Sequence, residues 1–125
     1  MDVTAGRDRA AEILVVEDDG LLREMAVELL CDEGYSAIGV DGAAEALAFL
    51  QASPGTVLMV TDVNMPGMDG LELTRVAHRR FPDLKLMMIS GRERIPQPSS
   101  PPVEFLQKPF SAQSFLSSVQ RLIGR

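Results

Sequence analysis

Four short, continuous apolar runs constrain the fold more than any other feature of the sequence. They cover residues 13–16, 57–60, 86–89 and, more weakly, 103–106. Each run has the length of a strand rather than of a helix, and an unbroken apolar run indicates burial on both faces. Strands of this kind are typical of a parallel sheet with helices on both sides. A fifth strand is predicted at residues 35–40.

Segments with helical spacing lie between these runs. The first has apolar residues that recur at i, i+4 and i+8, with Gly34 as a stop; they are Leu21, Leu22, Met25, Ala26, Leu29 and Leu30. Asp41 is expected to cap a helix at 43–51. A third helix is expected to begin at Asp69 and to extend to about residue 80, and the last helix to start at Ser111 and to extend to about residue 123. The alternation predicts an α/β fold with a right-handed, doubly wound, five-stranded parallel sheet.

The alternation has one gap, at residues 91–102. Four prolines, Pro96, Pro98, Pro101 and Pro102, interrupt the segment where a fourth helix is expected. Proline lacks an amide donor and disfavours helix in the residue before it. We therefore predict that the fourth helix is shortened or missing and that an exposed loop replaces it.

Length and composition limit the possible classes of protein. The 125 residues suffice for one domain, with 46% hydrophobic and 24% charged residues. We predict a flexible tail at 1–11 and a folded domain at 12–125. No apolar run approaches the ~18 residues that span a bilayer, so no membrane partner is expected. One cysteine and no export signal favour the cytoplasm. A net charge of −6 with scattered Lys and Arg argues against nucleic acid as a partner.

The predicted strand ends deliver an unusual set of polar groups to one edge of the sheet. Residues just beyond the carboxyl ends of parallel strands meet in a crevice where ligands of such folds bind. Crowded carboxylates repel one another unless a cation neutralises them, and Mg²⁺ fits because it leaves positions for phosphate oxygens. The set consists of Glu17, Asp18 and Asp19 after the first strand, Thr61 and Asp62 after the third, Ser90 after the fourth and Lys108 after the fifth.

The same set indicates phosphoryl chemistry. A lysine and a hydroxyl opposite a metal suit the remaining oxygens of a phosphoryl group. One of the carboxylates is then expected to accept the group, since enzymes form aspartyl phosphates. The single histidine, His78, lies among Arg75, Arg79 and Arg80 and is interpreted as part of a solvated helix face. The phosphoryl donor is therefore expected to be another molecule.

Four segments resemble the receiver domains of two-component response regulators. They are 13–19 (ILVVEDD), 60–70 (VTDVNMPGMDG), 88–91 (MISG) and 105–110 (FLQKPF), and they occur in the family's order at the strand ends. The resemblance covers roughly residues 12–124 and implies the flavodoxin-like receiver fold. It also implies a phosphoprotein of a two-component or phosphorelay system.

The resemblance assigns a role to each matching position. It makes Asp62 the phosphoacceptor and implies Mg²⁺ held by Glu17, Asp18, Asp62 and the backbone carbonyl of Asn64. It makes Ser90 the switch hydroxyl, Lys108 the ion-pair partner of the phosphate, and Phe105, where many members carry tyrosine, the switch aromatic. The Lys108–Pro109 bond is expected to be cis, which an ordinary X–Pro bond adopts in only ~5–6% of cases.

The implied function is a signalling switch that catalyses only its own phosphoryl transfer and dephosphorylation. A histidine kinase or histidine phosphotransferase is the expected donor, and the output is an unknown protein partner. Two alternatives remain: the excised receiver of a hybrid histidine kinase, and a pseudo-receiver that only docks. A flavin carrier is disfavoured because residues 17–19 would repel its phosphate. A haloacid-type phosphatase is disfavoured because it needs a second aspartate at a spacing that Asp18 and Asp19 do not supply.

Overall fold

The computed structural model describes residues 11–91 and 103–124, which form one parallel sheet and the helices that cover it. The strand order is β2-β1-β3-β4-β5, and every neighbouring pair is parallel. This confirms the predicted α/β fold with a doubly wound, five-stranded parallel sheet. The strands are β1 Ile13–Val16, β2 Ala37–Val40, β3 Leu58–Asp62, β4 Lys85–Ser90 and β5 Glu104–Gln107. The helices are α1 Gly20–Asp32, α2 Ala43–Ala52, α3 Gly70–Arg80 and α4 Ala112–Ile123.

Alternate side chains of each strand enter two separate cores, one on each face of the sheet. Ile13 and Val15 of β1 pack in the core that includes Phe115 and Val119 of α4. Leu14, next to both in the chain, packs in the core formed with α2 and α3. Because both faces of the central strands are buried, β1 and the apolar stretches 58–60 of β3 and 86–89 of β4 are unbroken, as predicted. Each such side chain contributes about 1.5–3 kcal/mol when fully buried.

Side-chain caps start three of the four described helices. The Asp69 carboxylate accepts a hydrogen bond from the Glu72 amide at 2.9 Å. The Ser111 hydroxyl caps α4 in the same way, so both helices begin where the sequence predicted. The predicted cap at Asp41 is wrong: α2 has Gly42 at its N-cap, with no side-chain hydrogen bond. Asp41 lies one residue too early, where its carboxyl group hydrogen-bonds with Glu45 instead.

The predicted limits of β1 are confirmed, and the other strands differ from their predicted limits by one or two residues at one end or both. Tyr35 falls outside β2 because its amide donates to the Leu30 carbonyl at 3.1 Å and so belongs to the end of α1. Gly34, the predicted stop, has a φ of 95°, the left-handed conformation that glycine adopts without strain. β3 extends beyond its predicted carboxyl end, to Asp62, which pairs with Ile89. The hydrogen-bond ladder, rather than hydrophobicity, sets these limits.

Two predictions concern chain segments that are described only in part. Of the predicted tail at 1–11, Ala11 is described and belongs to the folded part: it is 3% exposed, and its carbonyl accepts a hydrogen bond from the Thr56 hydroxyl. Residues 1–10 lie outside the described residues. So do residues 92–102, where the shortened or missing fourth helix was predicted. Within the described ranges, no helix has the length and apolar character needed to cross a membrane.

Candidate functional site

Three carboxylates meet at the carboxyl edge of the sheet. Glu17, Asp18 and Asp62 each offer an oxygen, and these oxygens lie within 4.8 Å of one another. The register explains the approach, because β1 and β3 pair at Val16 and Thr61 and the next residues are Glu17 and Asp62. Glu17 is 9% exposed and Asp62 is 8% exposed, whereas Asp18 is exposed to solvent. The predicted juxtaposition of the first and third strand ends is therefore present.

Lys108 joins this cluster from the end of β5, which is an edge strand of the sheet. Its Nζ lies 3.2 Å from Oδ2 of Asp62. The Lys108 amide donates to the Ser90 carbonyl at 2.8 Å, which continues the β4–β5 ladder to the site. The other carboxylate oxygen, Oδ1, accepts a hydrogen bond from the Asn64 amide at 3.2 Å. The Lys108–Pro109 bond is cis, as predicted.

The surroundings of the Glu17 carboxyl group raise its pKa. Burial raises the pKa of its carboxyl group from 4.5 to about 7, and the Asp62 charge and a hydrogen bond with Asp18 act in the same direction. The amide of Asp19, which donates to Glu17 Oε2 at 3.1 Å, and the Lys108 charge oppose the increase. Since the anionic form of Glu17 is disfavoured, a cation among these oxygens would stabilise it.

The chemistry of these donors fits a hard divalent cation. All three ligand candidates are carboxylates, and Mg²⁺ prefers oxygen ligands, of which it takes a few from protein. Two of the three side chains are buried and one is exposed, so the cluster is open to solvent on the Asp18 side. An open side leaves room for water and for a phosphate oxygen on the same ion. The cluster is therefore able to hold a metal ion.

The other predicted site residues differ in their burial and in their contacts with the cluster. Ser90 ends β4 and is fully buried, one position beyond the Asp62–Ile89 pair. Asn64 is exposed and contacts Asp62 through its backbone amide. Phe105 is half-buried on β5, where it lines a groove against α4 rather than the space above Asp62.

Two residues shape the backbone at Asp62: Gly70, to which the sequence analysis assigned no role, and Thr61, which it named only as a polar residue at the strand end. A Cβ at Gly70 would lie 2.2 Å from the Asp62 carbonyl oxygen, so only glycine fits at the start of α3. The Gly70 amide donates to the Val63 carbonyl at 2.9 Å. The buried Thr61 hydroxyl donates to the Asp62 carbonyl at 3.0 Å. The Asp69-Gly70 dipeptide is a signal that could have indicated this close approach.

An apolar cavity of about 580 Å³ opens beside the carboxylates. It lies between α1 and α4 on the sheet, and Glu17, Asp62 and Lys108 line its polar end. Leu22 and Met25 of α1 line it too and are 43% and 53% exposed. Asp62 is thus reachable from an open, partly apolar side of the molecule.

Comparison with known protein families gives one match over most of the chain. Residues 13–120 match the family described as response regulator receiver domain. The chain belongs to this family. The four sequence motifs indicated this family, so the resemblance in the sequence is confirmed at the level of the family.

Curated relatives of this receiver domain include short and long proteins. It is 36% identical to the response regulator receiver protein CpdR of Brucella abortus over 115 residues, which are 89% of this chain and 95% of CpdR. It is 35% identical to the response regulator protein FleR of Pseudomonas aeruginosa over 90% of this chain but only 24% of FleR. The chain therefore spans about a quarter of FleR and nearly all of CpdR.

Solved structures show the same fold. The receiver domain of the hybrid histidine kinase CckA is 31% identical, with a TM-score of 0.76 over 89% of this chain and 97% of that one. The chemotaxis protein CheY4 of Vibrio cholerae is 27% identical, with a TM-score of 0.78 over 90% of this chain and 98% of that one. The flavodoxin-like receiver fold predicted from the sequence is confirmed.

Proposed function

We propose that this receiver domain accepts a phosphoryl group on Asp62 with the help of Mg²⁺. One observation carries the proposal: Asp62 lies both within the carboxylate cluster and within 3.2 Å of the Lys108 ammonium. It is the one group among the described residues that contacts both the negative and the positive part of the site. A nucleophilic carboxylate between a metal site and a lysine suits phosphoryl transfer.

In the proposed step, an oxygen of the Asp62 carboxylate attacks the phosphorus of a donor phosphohistidine. The new O–P bond forms as the P–N bond breaks. The electron pair of the P–N bond goes to the imidazole nitrogen, and the imidazole leaves neutral when its second nitrogen carries a proton. Asn64 and Lys108 orient the attacking carboxylate through its two oxygens.

Three side chains and one backbone group are the proposed metal ligands. They are the carboxylates of Glu17, Asp18 and Asp62 and the backbone carbonyl of Asn64. Bound Mg²⁺ supplies positive charge that offsets the charge on the phosphoryl oxygens. Lys108 offers its ammonium to the same oxygens from the opposite side.

The proposed output is a change in protein contacts. Ser90 is the proposed switch hydroxyl and Phe105 the proposed switch aromatic. Receiver domains of two-component systems interact with histidine kinases or phosphotransferases, and the matched relatives include the sensor kinase CckA of Brucella abortus as well as CpdR. We propose such a donor here, with activity limited to phosphorylation and dephosphorylation of the domain itself. The cytoplasmic location and the absence of nucleic-acid and membrane partners stay predictions.

The test is labelling with a small phosphodonor. Wild-type protein is incubated with Mg²⁺ and acetyl phosphate, and the product is separated on a phosphate-affinity gel. We expect one acid-stable, base-labile phosphate that disappears in Asp62→Asn and in excess chelator.

Asp69→Asn is the matched control for this experiment. Asp69 lies in the same loop, is exposed, and caps α3 with an oxygen that asparagine retains. It should therefore label like wild type. Stoichiometric labelling of Asp62→Asn at the wild-type rate would contradict the assignment.

A further inference from the structure

Arg23 of α1 holds the backbone at the end of β1. Its Nη1 donates to the carbonyl oxygen of Glu17 at 2.8 Å, in a partly buried contact that spans six positions in the chain. The amide of Glu17 donates in turn to the Val40 carbonyl at 3.1 Å. Both backbone polar groups of Glu17 are thus hydrogen-bonded to other elements.

Gly39 gives the Arg23 side chain its path to Glu17. A Cβ at Gly39 would lie 2.7 Å from Arg23 Cγ and 3.0 Å from Cδ, closer than van der Waals contact allows. Gly39 pairs with Val15, a residue of the core on the α1 side, so Arg23 crosses β2 on that face. Glycine weakens a strand interior, and its presence there marks a close approach. The φ of Gly39 is not in the left-handed region, so glycine is required at this position for the space it leaves rather than for its backbone conformation.

The direction of the Glu17 carbonyl matters because Asp18 is the next residue in the chain. The carbonyl of Glu17 and the amide of Asp18 belong to one planar peptide unit. A hydrogen bond that fixes the carbonyl oxygen therefore fixes the direction in which the chain enters Asp18. Asp18 is exposed, and none of the described side-chain contacts buries its carboxylate. The backbone and the hydrogen bond with the Glu17 side chain are thus the two described constraints on where this carboxylate points.

Arg23 also faces carboxylates that have no part in the site. Its charge lowers the pKa of Glu45, which the hydrogen bond with Asp41 raises overall. A simple explanation of Arg23 is therefore charge balance at the surface. Charge balance alone requires neither the 2.8 Å contact with a neutral carbonyl nor the glycine beneath the side-chain stem.

We propose that Arg23, with the space provided by Gly39, is a positioning residue for the metal-binding carboxylates. It acts through the Glu17–Asp18 peptide and keeps the Asp18 carboxylate within reach of Asp62. This inference rests on the proposed function, because it takes Glu17, Asp18 and Asp62 as the metal ligands. Residues that orient metal ligands from behind typically change metal affinity by about 10–100-fold when replaced.

The experiment measures Mg²⁺ affinity directly, by titration followed through amide NMR shifts. We expect Arg23→Ala to raise the Kd for Mg²⁺ roughly tenfold and to shift the Asp18 amide resonance in metal-free protein. Arg23→Lys should recover part of the affinity, because it retains a donor on a long stem. Gly39→Val keeps the guanidinium charge but blocks its path, so it should weaken Mg²⁺ binding as well; Gly39→Ala is the milder form if the valine variant does not fold.

Two controls separate positioning from charge. Arg121→Ala removes a cation that pairs with Glu104 on α4 and β5, away from the site. Glu45→Gln removes the surface carboxylate that Arg23 faces. Both should keep the Kd within about twofold of wild type.

The outcomes distinguish this inference from the function on which it rests. If wild type binds Mg²⁺ and labels but Arg23→Ala binds Mg²⁺ equally well, the positioning role is wrong and the proposed function stands. An equal loss of affinity in Arg121→Ala and Arg23→Ala would show a net-charge effect and also overturn the positioning role. If wild-type protein neither binds Mg²⁺ nor labels, both proposals fail.

Discussion

Burial and charge repulsion act together on the carboxyl group of Glu17. It lies at 9% exposure beside Asp62, and burial is the largest cause of its raised pKa. A chain that placed this residue for stability alone would be better served by a neutral side chain. The electrostatic cost is consistent with a site that is built for a cation.

We expect Glu17 to make the metal-free protein less stable as pH rises. Because the folded-state pKa of about 7 is above the ordinary 4.5, the folded state binds the proton more tightly, and this stabilisation is lost as pH rises from about 4.5 to about 7. Glu17→Gln should remove about 1–2 kcal/mol of that pH dependence, allowing for solvent screening. Urea unfolding at pH 5 and pH 8 measures it. Glu24→Gln, at an exposed position on α1, is the control. If the free energy of unfolding changed equally between pH 5 and pH 8 in wild type and in Glu17→Gln, the expectation would be contradicted.

Gly70 is expected to tolerate no side chain. A methyl group there meets the Asp62 carbonyl at 2.2 Å, so the backbone must move at a cost of roughly 1–3 kcal/mol. Gly70→Ala should lower the midpoint of urea unfolding and also slow phosphoryl labelling, since the displaced atoms belong to Asp62. Gly55→Ala, where a Cβ meets nothing within 4 Å, should do neither. A Gly70→Ala variant that labels normally would show that the loop can relax without moving the carboxylate.

At the scale of the elements, the helix starts determine where the site loops end. Asp19 caps α1 through two amides, at 3.0 and 3.1 Å, immediately after the carboxylate pair. Asp69 caps α3 at the end of the loop that follows Asp62. Neighbouring acidic residues therefore make different contacts. Glu17 and Asp18 belong to the carboxylate cluster, whereas Asp19 accepts hydrogen bonds from backbone amides of α1.

The cap at Asp69 should be measurable as a stability contribution. Asp69→Ala is expected to destabilise the fold by about 1 kcal/mol, because an amide of the first turn of α3 loses its partner. Asp41→Ala, at the position where the sequence wrongly predicted a cap, should change the free energy of unfolding by less than ~0.5 kcal/mol. Chemical denaturation of both variants checks the difference. Equal losses would mean that Asp41 supports α2 in another way.

At the scale of the whole molecule, metal binding is expected to stabilise the fold. The carboxylates come from β1 and β3, so the cluster exists only when the sheet is formed. A ligand that binds only the folded state, at a concentration ten times its Kd, adds about 1.4 kcal/mol to the free energy of unfolding. Mg²⁺ should therefore raise the melting temperature, and Asp18→Ala should weaken this effect more than Glu17→Ala. Calorimetry with Mg²⁺ and with chelator tests it; an equal rise in Asp18→Ala would exclude Asp18 as a ligand.

The order of the elements could be predicted because it depends on local patterns. Unbroken apolar runs indicated strands buried on both faces, and Asp69 and Ser111 marked helix starts that the structure confirms. The strand ends were less accurate because the ladder, which involves residues distant in sequence, decides them. The cap at Asp41 was wrong by one residue, a shift that no local signal could show.

For the site, the sequence by itself determined which polar groups are brought to one sheet edge, because parallel strands all end on the same side. The predicted set includes Glu17, Asp18, Asp62 and Lys108, which the structure brings together. Only the tertiary structure decided how they are held: Gly70 fits against the Asp62 carbonyl, and Arg23 crosses Gly39 to reach Glu17. These contacts depend on the spacing of separate elements to within a few tenths of an ångström, and packing sets that spacing.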